Sequence, residues 1–334
     1  MKLDKTSFLF FSFIILSIIG LSNNPLISQN PKDSILFHYE SIAEIKDIAT
    51  TSRAFDFFNN KADEALLLND TISAAYYLEL ISLGQFKIGF LHESEATSIN
   101  AFRLLDKIKN NQQTIEPRKR LLNQLGMIYR KIENFDHSLR YYNQALELNE
   151  NLRDKISIIT NIANIYADQD KYQEAINELI TYYDTVLTLE DTDTKAIYLD
   201  NLGYYQSKVG NSIAIENMQL ALKIRLKLKD LTQVFSSYRH LSLFYLEHDQ
   251  KAKALKYSNM MTVIADQINS PTYKLEAKEF KLKLEKNPDF IQYVQLSKKI
   301  EHDKQLMEND FAAIKYNIEQ KEKLLDENEH KLQI

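Results

Sequence analysis

Cysteine is missing from the chain altogether. That excludes disulfides, thiolate metal sites, a cysteine nucleophile and a lipid attached through cysteine. Glycine and proline are scarce, at 6 and 5 in 334 residues. A sheet-rich fold punctuates itself with both, so long helices joined by short turns are expected. No block of lysine and arginine stands out, and the formal net charge is −5. Neutralising a phosphate backbone needs a concentrated basic face, so nucleic-acid binding is not expected. The seven histidines (His38, His92, His137, His240, His248, His302 and His330) form no HxxxH or HExxH pair, which argues against a zinc site. No glycine-rich phosphate loop is present, and no nucleophile can be matched with a base. The acidic residues read as solvated helix faces. Catalysis, a cofactor and a metal are therefore all unexpected.

Among the features present, the N-terminus reads as an export signal. Lys2 and Lys5, diluted by Asp4, precede an uncharged apolar run of 14 residues from Phe8 to Leu21, followed by Ser22, Asn23, Asn24 and Pro25. A bilayer span needs about 20 apolar residues, so the run suits a signal core. Residues 1–28 are expected to be removed near Ser28–Gln29, or else retained as a membrane anchor. The protein is then expected beyond the cytoplasmic membrane, in the periplasm.

The body of the chain repeats itself. Leu122-x-x-Leu125-Gly126-x-x-Tyr129 is followed by Phe135, Ser138, Tyr142 and Ala145. Ile159-x-x-Ile162-Ala163-x-x-Tyr166 leads to Tyr172, Ala175 and Leu179. Leu199-x-x-Leu202-Gly203, with Tyr205 one position early, leads to Gly210, Ala214, Met218 and Ala221. Tyr238-x-x-Leu241-Ser242-x-x-Tyr245 leads to Ala254. Small residues on facing sides let two helices approach closely, and the large positions fill the gap to the next pair. One such pair cannot bury its apolar face alone, so the pairs must stack. Positions 126, 163, 203 and 242 are separated by 37, 40 and 39 residues, and the surplus over the usual 34 is expected to lengthen the second helices. Asp154, Asp193 and Asp230 stand where the next helix needs a cap.

This pattern resembles the tetratricopeptide repeat (TPR). The resemblance implies an all-α solenoid of antiparallel helix pairs over 118–286, preceded over 35–117 by helices with degenerate repeats: Phe37–Ile48, Ser52–Leu68, Ile72–Phe90 and Ser94–Ile108. The Gly84 region fits the repeat loosely. Pro271 starts a further helix and Asn287–Pro288 ends it. In TPR proteins the first helix of each repeat lines the binding face. Carried over, this picks Asn123, Met127, Arg130 and Lys131; Thr160, Asn164 and Asp168; Asp200, Tyr204 and Lys208; and Arg239, Leu243 and Glu247. Asn161 and Asn201 read instead as hydrogen bonds between helices, and His240 as a polar core or groove residue. Mixed amide and charged side chains suit a protein or peptide partner.

Residues 289–334 contain no glycine or proline. Tyr293, Ile300, Met307, Ile314, Ile318, Leu325 and Leu332 follow heptad steps with one step of four. Such a seam suits a coiled coil, with weak self-association or docking on a partner helix. The other reading is a solvated amphipathic helix folded back on the solenoid. Signal, helices, repeats and charged stalk together resemble the exported sensory part of bacterial TPR-containing regulators of the helix-turn-helix or histidine-kinase type. The sequence stops at Ile334 with no second apolar span and no output domain, so a truncated relative or a free-standing protein is expected. A sensory or scaffolding interaction module and an accessory subunit or chaperone of an exported enzyme or envelope complex both fit.

Overall fold

The computed structural model describes residues 35, 38–39, 48–108, 112–190, 192–285, 290–309 and 312. The expected signal, the helix at 37–48 apart from His38, Tyr39 and Ile48, and the seam residues Ile314, Ile318, Leu325 and Leu332 lie outside them, as do Asn287 and Pro288. Every regular element among the described residues is a helix: α1 (Ile48–Leu67), α2 (Thr71–Ile88), α3 (Leu91–Asp106), α4 (Gln112–Lys131), α5 (Phe135–Leu148), α6 (Leu152–Asp168), α7 (Tyr172–Ile180), α8 (Tyr183–Thr188), α9 (Asp193–Lys208), α10 (Ala214–Leu228), α11 (Leu231–Glu247), α12 (Lys251–Ile268), α13 (Pro271–Leu284) and α14 (290–309). Glu133–Tyr293 form one compact unit, and the described residues of Ser28–Ile132 and Val294–Ile334 form the other. Helix α4 runs without interruption through 117/118, the expected border of the repeat array, with Pro117 inside it.

The turn between paired helices shows why so little glycine is needed. Glu133, Asp170, Gly210 and Asp249 all take the left-handed conformation, with φ of 61°, 58°, 73° and 57°. Each stands seven residues after the small residue of its repeat: 126, 163, 203 and 242. A left-handed residue followed by a cap reverses the chain in the fewest residues. Asp and Asn tolerate this conformation because their short polar side chains bond locally.

The same register exists where the sequence offered only a loose fit. Gly89, with φ of 89°, lies seven residues after Ser82, and Ser94 lies twelve after it. Ser82 Oγ donates to Ser94 O at 2.7 Å, and Ser94 Oγ donates back to Ser82 O at 2.8 Å. In the fourth repeat Ser242 Oγ donates to Ala254 O at 2.8 Å, again twelve residues on. The α2–α3 hairpin is thus a full repeat with Ser82, not Gly84, at the close contact. A serine there satisfies its hydroxyl on the opposite backbone, so it is as tolerable as glycine or alanine.

At Gly203 the approach is closest. A Cβ there would meet Ala214 O and Met218 Cγ, each at 2.8 Å. Around it Ile156, Ala175, Leu179, Val186, Tyr198, Leu202 and Ala221 form a buried core drawn from α6 to α10. A second core, from Val234 through Tyr245, Met261 and Ala265 to Phe280, joins α11, α12 and α13. Within one unit α1 to α4 touch in sequence; within the other α5 touches α6, α6 touches α7, and α9 to α13 touch in sequence, while first helices also meet across repeats, as α6 meets α9 and α9 meets α11. This contact pattern is that of a solenoid.

Two expectations are corrected. The surplus residues of the second repeat do not lengthen its second helix. They break it into α7 and α8, with Thr181 and Tyr182 between. Of the three aspartates expected as caps, Asp230 caps α11 by accepting from Gln233 N at 3.1 Å. Asn151 and Thr192 cap the other two helices, leaving Asp154 and Asp193 in the first turn. There their charge still complements the helix dipole.

Candidate functional site

Within Glu133–Tyr293 the first helices α6, α9, α11 and α13 carry side chains that reach one another in sequence. Asn201 Nδ2 donates to Asn164 Oδ1 at 3.0 Å, and the Tyr205 hydroxyl donates to the same oxygen. Next, Tyr204 stacks on His240, ring centroids 4.5 Å apart and planes at 15°. Lys208 lies 5.0 Å over the Tyr204 ring and donates to Glu247. Burial opposes charge on Lys208, but Glu247 and Tyr204 outweigh it and lift its pKa. Arg239 Nη1 then donates to Glu276 Oε1 of α13 at 3.0 Å. Helices packed side by side bring residues about one repeat apart into register, which is why 164 meets 201 and 239 meets 276.

Beneath this ladder lies a buried ionic cluster. Asp200 Oδ2 accepts from Arg225 Nη1 at 2.7 Å and from His240 Nδ1 at 2.8 Å. Arg225 Nη1 also donates to Ser237 Oγ at 2.6 Å. Burial pushes the Asp200 carboxyl up, yet His240 and Arg225 together more than offset it and hold Asp200 well below the usual carboxylate range. Arg239 Nη2 lies 3.5 Å from His240 Nε2.

Two residues expected on the binding face are therefore core. Asp200 is fully buried, held by α10 and α11. Thr160 is buried and donates to Ile156 O at 2.7 Å, one turn back in its own helix. Asn164, Tyr204, Lys208, Arg239 and Leu243 are half-buried, whereas Asp168 and Glu247 are exposed. Asn201, read as an interhelical hydrogen bonder, has that role toward Asn164. Asn123, Met127, Arg130 and Lys131 all belong to α4. Asn123 Nδ2 lies 3.9 Å from Met127 Sδ. Three contributors escaped the sequence reading: Arg225, which comes from a second helix; Glu276, which lies beyond the last recognised repeat; and Tyr205, which was read as packing.

The unit made of Ser28–Ile132 and Val294–Ile334 has its own polar set. Arg120 Nε donates to both oxygens of Glu79 at 2.8 and 3.0 Å, Gln124 Nε2 donates to Ser82 Oγ at 2.8 Å, and the Tyr129 hydroxyl donates to Glu95. Here burial raises the Glu79 pKa despite Arg120. An apolar hollow of about 630 Å³ lies elsewhere, on α11 and α12, lined by Tyr238, Leu255, Met260, Val263 and Ile264 among others. Among the described residues no three His, Asp or Glu come close enough to hold a metal ion, and no helix is long and apolar enough to cross a membrane.

Residues 117–179 match the tetratricopeptide repeat family. No curated protein matches the sequence. Among solved structures, a Rap protein complexed with competence and sporulation factor is similar at TM-score 0.63 and 16% identity, over 94% of this chain and 86% of that one. The Rap conjugation gene regulator of plasmid pLS20, in complex with a Phr peptide, is similar at TM-score 0.52 and 14% identity, over 92% and 87%. BtubC from P. vanneervenii is similar at TM-score 0.50 and 18% identity, over 68% and 93%. At these identities the likeness is one of fold: an all-α, TPR-type solenoid.

Proposed function

We propose that this TPR-type solenoid is a protein-interaction module that binds an extended peptide segment along the first-helix face of α6, α9, α11 and α13. The observation that carries this reading is the unbroken ladder from Asn164 and Asn201 through Tyr204 and Lys208 to Arg239. Side-chain amides offer one donor and one acceptor group each, which suits a peptide backbone. Lys208–Glu247 and Arg239–Glu276 are partly exposed ion pairs, which cost little to rearrange around a ligand. Two of the similar folds carry ligands in their structures, one of them a peptide. The test is a random-peptide selection on the chain from residue 34, followed by NMR titration of a selected binder. Shift changes concentrated on α6, α9, α11 and α13 support the face. Changes concentrated on the Tyr238–Val263 hollow, or no selectable binder, refute it.

The second part of the proposal is that the module works after export, as a sensory or scaffolding component. Lys2, Lys5 and the run from Phe8 to Leu21 support it. Residues 1–33 fused to a reporter active only beyond the membrane should give activity, and a silent fusion defeats the idea.

A further inference from the structure

The last described helix is covered along one stripe. Leu296, Ser297, Ile300, Asp303, Lys304 and Met307 are half-buried, while the other residues from 294 to 309 are exposed. Their spacing is that of one helix face. Met307 packs against an aromatic-rich cluster of α1 and α2 that holds Phe55, Phe58, Tyr76, Leu80 and Ile81. The end of the Lys304 side chain stands 3.8 Å from where a Cβ on Gly89 would be. Gly89 is the left-handed C-cap of α2, so the ammonium sits where unpaired carbonyls concentrate negative charge. The glycine serves the turn through its positive φ of 89°, and an added Cβ there would only reach ordinary contact with that lysine.

We infer that α1 and α2 carry a docking surface for an amphipathic helix, and that residues 294–309 of the same chain occupy it. Ile300 and Met307 belong to the seam that the sequence offers for self-association. Docking and self-association therefore compete for the same side chains, and a coiled coil through this seam requires the helix to leave α1 and α2 first. The grip is light: Met307 enters the cluster, but the adjacent Leu306 remains 40% exposed. Such an element belongs to the low-stability end of a fold, where switching segments are found.

The absence of cysteine makes the test clean. In the full-length chain, Met307→Cys and Ile300→Cys should react with a thiol reagent at least about tenfold more slowly than Leu306→Cys, at a rate independent of protein concentration. Adding Met307→Asp to the Ile300→Cys variant should abolish that protection. Equal rates at 300, 306 and 307 overturn the inference. Protection that grows with protein concentration also overturns it, because a second copy would then be supplying the cover. Should Met307→Cys fold poorly, Ile300→Cys alone gives the same reading.

Discussion

Each compact unit sets a carboxylate against an arginine, Asp200 fully buried and Glu79 half-buried, and the two carboxylates are shifted in opposite directions. Asp200 meets two partners, Arg225 and His240, from two different helices, and its charged form is favoured. Glu79 meets one arginine, Arg120, whose Nε is shared between its two oxygens, and burial wins. Desolvating a carboxylate costs several kcal/mol, and one arginine repays this only with further hydrogen bonds. The difference shows what the third and fourth repeats gain from a ladder: His240, fixed by stacking on Tyr204, supplies the second donor.

Removing the arginines should separate the two pairs most strongly. Arg225→Met leaves the buried Asp200 charge with His240 alone, and a loss of about 3–5 kcal/mol is expected in denaturant unfolding. Arg120→Met should cost less, about 1–3 kcal/mol, because burial already raises the Glu79 pKa and taking up a proton can relieve the unpaired carboxylate. Equal losses would break the comparison.

Overpacking comes next. Gly203→Leu drives side-chain atoms into Ala214 O and Met218 and should cost about 3 kcal/mol. Gly210, by contrast, has nothing within 4 Å of an added Cβ. Gly210→Ala therefore meets only the strain of its positive φ, about 1–2 kcal/mol. A Gly203→Leu protein with an unchanged melting temperature would mean that the register is wrong there.

Acid should divide the units with opposite sign. Asp200, with its pKa depressed, contributes stability that is complete above its unfolded value of about 3.9 and is lost as pH falls below that. Glu79, with its pKa raised, binds its proton more readily folded than unfolded, so its contribution grows as pH falls through its folded pKa and is lost as pH rises. Hydrogen exchange measured at several pH values should show α9–α11 amides losing protection in acid while α2–α4 amides hold theirs. Glu79→Gln should remove the second effect and leave the first. Parallel loss in both units would contradict the assignment.

The repeat was legible where its small residue was glycine or alanine, and the fourth repeat was legible even with serine, since Tyr238, Leu241 and Tyr245 flank it. Ser82 was missed because Gly84, two residues on, attracted the register, and because the step from 82 to 126 is 44 residues rather than about 39. The spacing of 7 to Gly89 and 12 to Ser94 was the usable signal. Asp200 and Thr160 were placed on a face because family position alone assigns a side of a helix. Which side another helix covers depends on Arg225, 25 residues downstream on a second helix, and no local pattern announces that partner. The fold was therefore readable from periodicity, but the division of the ladder into surface and core was not.

The binding face should be the least sensitive region in stability and the most sensitive in recognition. Lys208→Ala and Arg239→Ala remove partly exposed ion pairs and should each cost at most about 1 kcal/mol of folding stability. The decisive measurement is the affinity of one selected peptide for the native chain, for these two variants and for Lys223→Ala, an exposed residue of α10. Affinity should fall about tenfold or more, some 1.4 kcal/mol, for Lys208→Ala and Arg239→Ala, and stay unchanged for Lys223→Ala. Equal affinity in all four proteins would contradict a binding site on α6, α9, α11 and α13.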